Sequence, residues 1–482
     1  MSGGGSQAMH FKARAGDKLA DRILQGALKK AQPLFTAKRR KGMASLAADG
    51  LDFAAMRAAA QAIRQRVLDD LDVWLEIFEA RAVAAGADVL WARDGAEAAR
   101  LIVELAQREG VRTVTKSKSM LSEEAGLNAA LTAAGIRPVE TDLGEYIVQL
   151  AQEPPSHIIA PAVHKTIAQV EALFAEAHGR PQQARTSADI PKMADEARQV
   201  LRRDFLAADM GISGANFLIA ETGSAALVTN EGNGRMVTTL PRLHVVLTGI
   251  EKLVPTLEDF ATLMRILPRS ATGQDISNYV SLLTGTRRDG DLDGPQKTVF
   301  VLVDNGRAGL LGGAFEPMLR CIRCGACMNH CPVYFALGGH AYGWVYPGPM
   351  GSVLTPLYTG LENALDLPHA STGCNQCGSV CPVGIPLPDL LHGLREAQNA
   401  RGLRPPGERL TMRLWGWLAR HPRSYRLLTR LAARYLHWLG DDDAAGRRIR
   451  IFGLAPAWTA GRDLPVGPGR SFFEQYAARK RD

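Results

Sequence analysis

The stretch Cys321-Ile322-Arg323-Cys324-Gly325-Ala326-Cys327-Met328-Asn329-His330-Cys331-Pro332 decides how this chain is read. Its spacing, C-x2-C-x2-C-x3-C-P, is the bacterial iron–sulfur run, whose fourth cysteine ligates the other cluster in two-cluster ferredoxins. The reason is geometric. Cysteines three apart on a tight loop containing Gly325 put three thiolates around one face of a cubane, and Pro332 ends the turn. A second run, Cys374-x2-Cys377-x3-Cys381-Pro382, repeats the pattern without its first cysteine. These are all seven cysteines of the chain, and none precedes Cys321. Zinc also uses paired C-x2-C units, but it gives no reason for a third cysteine or for Cys-Pro after both runs. A disulfide framework belongs to an exported protein, and the start of the chain lacks the apolar core of a secretory signal.

Laid on the first run, Cys374, Cys377 and Cys381 match Cys324, Cys327 and Cys331, and the missing cysteine falls on Ser371. Ferredoxin-style exchange then gives one complete site, Cys321, Cys324, Cys327 and Cys381. The other site has three thiolates, Cys331, Cys374 and Cys377. Its fourth position falls to Ser371, a solvent oxygen or nothing, so the second cluster is a cubane with one distinct iron or a three-iron cluster. His330 and His369 flank the runs and read as surface or supporting residues, because the thiolates nearly complete the ligand count.

At 482 residues the chain exceeds one ordinary domain, and 46% hydrophobic residues allow well-packed cores. No apolar run is long enough to span a membrane. The expected location is the cytoplasm, with at most a peripheral contact at the inner membrane face. A net charge of +8 is mild for this length, and no nucleic-acid-binding motif accompanies it.

Residues 1–50 read as a basic helical extension, with Lys38-Arg39-Arg40-Lys41 as a solvated charge run. Residues 51–305 alternate helix and strand. Asp52 to Ala85 reads as one amphipathic helix with Ile63, Val67, Leu71, Trp74, Leu75 and Phe78 on its core stripe. Strands are expected at Asp88–Trp91, Arg112–Thr115, His157–Ala160, Asn216–Ala220, Ala225–Val228, His244–Leu247 and Thr298–Val303. Helices are expected at Gly95–Glu109, Ser122–Ala134 and Lys165–Ala177. Alternation of this kind indicates an α/β domain with a largely parallel sheet. In such sheets ligands sit beyond the carboxyl ends of strands. Two candidate ligand segments stand out: Thr115-Lys-Ser-Lys-Ser119, and Glu221-Thr-Gly-Ser224 with Thr229-Asn-Glu-Gly-Asn-Gly-Arg235. Tight turns and helix caps are the plainer account of both.

Residues 306–395 form the two-cluster domain and 396–482 an Arg/Trp-rich helical region. Between Arg401 and Gly440 there are nine arginines against Glu408 alone, interleaved with Leu, Trp and Tyr. Such a stretch suits packing on the cluster domain with arginines reaching water, an acidic partner, or an anionic membrane surface.

Taken together, the chain resembles the lactate-utilisation iron–sulfur proteins, a component of the three-part L-lactate oxidation system. The resemblance rests on Lys116-Ser-Lys-Ser-Met-Leu-Ser-Glu-Glu124, Glu140-Thr-Asp-Leu-Gly-Glu-Tyr146, the segments around Glu221 and Asn230, and both cysteine runs. It implies an isomerase/CoA-transferase-like α/β domain followed by an all-α two-cluster 4Fe-4S ferredoxin domain and a helical C-terminal segment. It also implies a cysteine-rich partner subunit, a smaller α/β partner subunit, and cluster ligands at all seven cysteines. The function it implies is electron relay in the oxidation of L-lactate to pyruvate. No base for the lactate proton is assignable, since His157, His164 and His244 stand in apolar surroundings or without an evident partner. Two other functions remain open: the iron–sulfur subunit of a glycolate-type oxidase, and an acyl-CoA transferase or isomerase with Glu221 as nucleophile and structural clusters.

Overall fold

The computed structural model describes residues 8–440, 448–449 and 464–480. The chain divides into two compact units at the Arg401/Gly402 boundary. In the first unit six strands form one parallel sheet, in the order β1-β10-β7-β4-β2-β3. They are β1 (Asp88–Ala92), β2 (Thr113–Lys116), β3 (Arg137–Glu140), β4 (Met210–Ser213), β7 (Leu243–Gly249) and β10 (Lys297–Val303). A smaller mixed sheet has the order β8-β5-β6-β9, from β5 (Phe217–Ile219), β6 (Ser224–Thr229), β8 (Leu253–Val254) and β9 (Tyr279–Thr284).

β10 shows why the large sheet forms. Strands covered on both faces read as unbroken apolar runs, and Val299 to Val303 are all buried. Val299, Val301 and Val303 face helix Gly95–Arg108, where Asp94 caps the first turn and Ile102 and Leu105 enter the core. Phe300 and Leu302 face the other way, toward Val67, Leu71, Leu75 and Phe78 and toward Leu218 and Ala225 of the small sheet. The expected helix over Asp52–Ala85 is two helices, Phe53–Asp69 and Leu71–Ala84, broken at Asp70. Its apolar stripe survives the break, so periodicity alone passes over it.

Other differences have local causes. His157–Ala160 is no strand: the His157 ring nitrogen Nδ1 accepts from the Ile159 and Ala160 amides and holds a turn. The segment is apolar because Ile158 packs over Gly325 of the first cysteine loop. The strands at Phe217–Ile219 and Ser224–Thr229 belong to the small sheet and pair antiparallel. The expected helix at Ser122–Ala134 is split by Gly126, whose φ is 63°.

The cluster region is helical, with short helices Ala326–Asn329, Pro332–Leu337 and Gln376–Ser379 and longer ones at Gly348–Thr359 and Leu387–Ala400. The long basic helix Arg22–Ala48 packs on it through Leu24 and Leu28 against Gly338. Its charge run is not wholly solvated. Arg39 is buried, donates to the Val380 carbonyl at 3.0 Å and lies over the Phe53 ring. In the second unit, helices Pro406–Arg420 and Pro422–Trp438 bury no side chain; Trp415, Trp417 and Trp438 are exposed. No described helix is long and apolar enough to cross a membrane.

Candidate iron–sulfur centres and the adjoining cleft

Both cysteine runs fold by one device. Gly325, after Cys324, takes φ 74° and starts helix Ala326–Asn329; Asn375, after Cys374, takes φ 59° and starts helix Gln376–Ser379. Left-handed backbone is open to Gly and, among other residues, mainly to Asn and Asp. The sequence repeat is thus a structural repeat, and Asn375 is the part that residue spacing alone missed. Pro332 occupies the first turn of its helix, where a missing N–H costs nothing.

The seven thiols fall into two electrostatic neighbourhoods. Cys324 and Cys327 feel Cys321 and Cys381, and Cys381 feels Cys321; Cys327 also feels Cys377, so the two groups adjoin there. Cys377 feels Cys331 and Cys374, and Cys331 feels Cys374. Backbone amides point at sulfur: the Tyr334 N–H donates to Cys331 Sγ at 3.5 Å and the Ile385 N–H to Cys381 Sγ at 3.4 Å. Cys321, Cys324, Cys327 and Cys381 line one apolar cavity with Ile158, Met318, Met350 and Ile385. Burial pushes the Cys324 thiol up to about 12 and Cys377 up to about 11. Neither ionises without a positive counter-charge, which a metal supplies. Cys374 differs: it is exposed, and a hydrogen bond with Thr372 lowers its pKa. All seven cysteines are free of disulfides. Seven thiols in this arrangement fit iron–sulfur chemistry.

Cations surround the first group. Arg39, Arg57, Arg64, Lys252, Arg320 and Arg323 each act on one or more of its thiols. Arg64 is fully buried and spends its guanidinium on the carbonyls of Leu253, Glu251, Leu319 and Arg320, tying the α/β domain to the chain entering Cys321. Arg307 bridges Glu124 and Glu251, at 3.0 and 2.7 Å. Arg323 lies 3.5 Å from Glu251 and stacks on Tyr346. Although burial raises the Glu251 carboxyl, Arg307, Lys252 and Arg323 hold it at about 2. Burial, reinforced by Arg323, lowers Lys252 to about 8 against the pull of Glu251.

A cleft of about 310 Å³ opens beyond the carboxyl ends of β2, β4 and β7 and reaches Arg323 and Cys324. Ser117, Lys118 and Ser119 line it, as do Asn230, Glu231 and Asn233. Thr229 lines it as well, and several other residues of the two candidate segments are structural. Lys116 is buried against Glu140 at 2.6 Å, which raises its pKa although burial opposes that. Glu221 accepts from the Leu257 N–H at the start of helix Leu257–Ala271 and stands outside the cleft. Gly223 turns the β5–β6 hairpin at φ 66°, where a Cβ would strike the Arg81–Ala82 backbone.

The histidines need one correction. His164 does have a carboxylate partner, Glu153, at 2.7 Å, and also bonds Ser156. That pair lies outside the cleft. His157 is buried on Asn329, and His244 on Ser213 at 2.8 Å. Ser371 Oγ accepts from the Gly373 N–H at 3.1 Å, His330 bonds the Ala326 carbonyl, and His369 bonds Gln398.

Three family descriptions match in succession: LUD domain over residues 75–303, 4Fe-4S dicluster domain over 317–385, and Lactate utilisation protein B, C-terminal, over 391–481. Among curated relatives, Lactate utilization protein B of Lysinibacillus sphaericus is 41% identical over 97% of this chain and 96% of its own. The Uncharacterized electron transport protein YkgF of Escherichia coli K12 is 40% identical over 98% of both chains. Lactate utilization protein B of Geobacillus kaustophilus is 42% identical over 88% of each.

Proposed function

This chain belongs to the lactate utilization protein B family, and on that premise we propose that it relays electrons in the oxidation of L-lactate to pyruvate. Its partners in this reading are a cysteine-rich subunit and a smaller α/β subunit, and the system supports growth on lactate. The observation that carries the reading is the division of seven thiols into two neighbourhoods, one bordering a cleft and the other reaching solvent at Cys374. Cys321, Cys324, Cys327 and Cys381 would hold one cluster, and Cys331, Cys374 and Cys377 the other. When bound, such clusters supply one-electron transfer.

The chain's own residues prepare both places. Ile158, Met318, Met350 and Ile385 give the first thiol group an apolar lining. The six cations around it offset thiolate charge, which favours the reduced, more negative state. Amide donors to Cys331 and Cys381 act in the same direction. Exposure of residues 372–376 gives a docking partner close approach to the second group. Glu221, engaged as a helix cap outside the cleft, lends no support to the transferase alternative.

The test is anaerobic purification of the chain alone and with its two partner subunits. Two occupied sites require about seven or eight irons per chain. The chain alone should oxidise little lactate, and the partners should restore turnover. Four irons with stoichiometric zinc would overturn the two-cluster assignment, and full turnover by the chain alone would overturn the relay.

A further inference from the structure

We propose that the cleft beyond β2, β4 and β7 binds a small 2-hydroxy- or 2-oxo-carboxylate, its carboxylate at Lys252 and Arg323 and its 2-oxygen at the Thr248 hydroxyl. This deepens the reading above and rests on it for the identity of the acid.

Charge is the first argument. Arg307, Arg323 and Lys252 line the cleft with Glu251, and Lys118 lines it with Asp142 and Glu231; among the described residues only Glu251 of these carboxylates pairs with Arg307 and Arg323. Arg307 pairs with Glu124 and Glu251, Arg323 stands 3.5 Å from Glu251, and Arg64 is spent on carbonyls. Lys252 makes no hydrogen bond or ion pair among the described residues, and it lines the cleft. A largely buried ammonium without a partner is costly, and an anion in the cleft removes the cost. Thiolates offset part of this charge, because Cys321 acts on both Lys252 and Arg323.

Thiolates do not account for the second observation. Ser117 and Thr248, 3% and 2% exposed, end two strands of the sheet, and their hydroxyl oxygens have no hydrogen-bond partner. Buried polar atoms left unpaired are rare and ask for a ligand or water. Both residues line this cleft. Cations beside free hydroxyls, with Ile158 and Leu247 as apolar wall, are the complement of a carboxylate bearing an adjacent oxygen and a short aliphatic tail. Cys324 lines the same cleft, so the bound acid would stand against the first thiol group.

The test is calorimetric titration of the full, cluster-loaded chain under anaerobic conditions. The probes are L-lactate, pyruvate, propionate, neutral L-lactamide and inorganic phosphate. Lactate and pyruvate should bind and lactamide should be weaker by about tenfold or more, since a charged hydrogen bond is worth about 1.5–3 kcal/mol. Lys252→Met should weaken all three carboxylates by about tenfold with iron content unchanged. Thr248→Val should weaken lactate and pyruvate and leave propionate alone. Parent-like lactate binding by both variants, or phosphate binding as tightly as lactate, would overturn the proposal. Failure of this site and failure of the electron relay are separable. If lactate with partner subunits reduces the clusters while the chain binds no carboxylate, the site is wrong and the relay stands. If the carboxylates bind through Lys252 and lactate never reduces the clusters, the relay is wrong and the site stands.

Discussion

Asn375 shows how a single residue carries a repeat. It stands where Gly325 stands in the first run, in the same left-handed conformation at the start of the same short helix. An ordinary residue held there costs about 1–2 kcal/mol, and a β-branched one more. Asn375→Gly should therefore keep the parent iron content, whereas Asn375→Val should lower occupancy of the second thiol group alone. Iron analysis with spectra of both centres checks this; equal iron in the two variants would contradict it. His244 gives a prediction of a different kind. Burial lowers its pKa from 6.5 to about 4. Between those values the unfolded chain takes up a proton that the folded chain refuses, so stability present above pH 6.5 is lost as pH falls toward 4. At about 1.4 kcal/mol per unit, the loss comes to about 3 kcal/mol. The parent should thus lose about this much stability relative to His244→Gln between pH 7 and pH 4, measured by denaturant unfolding. A difference that stays constant with pH would contradict it. The cysteines were legible at this scale because ligand spacing is a sequence property. The unpaired state of Lys252 was not, because it depends on what segments distant in sequence, at Arg64 and at Cys321–Arg323, bring beside it.

Among the elements, helices and strands with strong periodicity were readable, and β10 is the clearest case. Met210–Ser213 escaped notice because Met-Gly-Ile-Ser has neither alternation nor a β-branched run; its place in the sheet comes from burial on both sides. Gly211 there lets the backbone of helix Asn233–Thr239 approach, at Val237, closer than any Cβ allows. The basic helix Arg22–Ala48 looked like an appendage because its charges dominate, yet Leu24, Leu28, Arg39 and Leu46 are buried. Helices Pro406–Arg420 and Pro422–Trp438 run the other way: apolar stripes with no buried side chain. Every cysteine precedes Gly402. A chain ending at Arg401 should keep its iron and lose association with partner subunits in co-purification. Loss of iron on truncation would favour packing on the cluster domain, and undiminished association would contradict a docking role for this region.

For the molecule up to Arg401, the division into an α/β part and a cluster part was visible in composition and spacing. Their junction was not. The cleft forms where the ends of β2, β4 and β7 meet Arg323 and Cys324, segments separated by as much as 207 residues, from Ser117 to Cys324. Short motifs such as Ser117-Lys-Ser119 gave part of it; Thr248 and Lys252 at the end of β7, Arg307, and Arg323 of the cysteine loop supplied the rest. The central claim concerns the thiols at that junction: electrons from lactate pass through centres held by these seven cysteines. It is tested most directly by electron paramagnetic resonance of the chain with its partner subunits, frozen soon after L-lactate is added without an acceptor. Reduced signals from both centres, lost at one centre in Cys321→Ser and at the other in Cys377→Ser, are the predicted result. Pyruvate accumulating while both centres of this chain stay oxidised would contradict it.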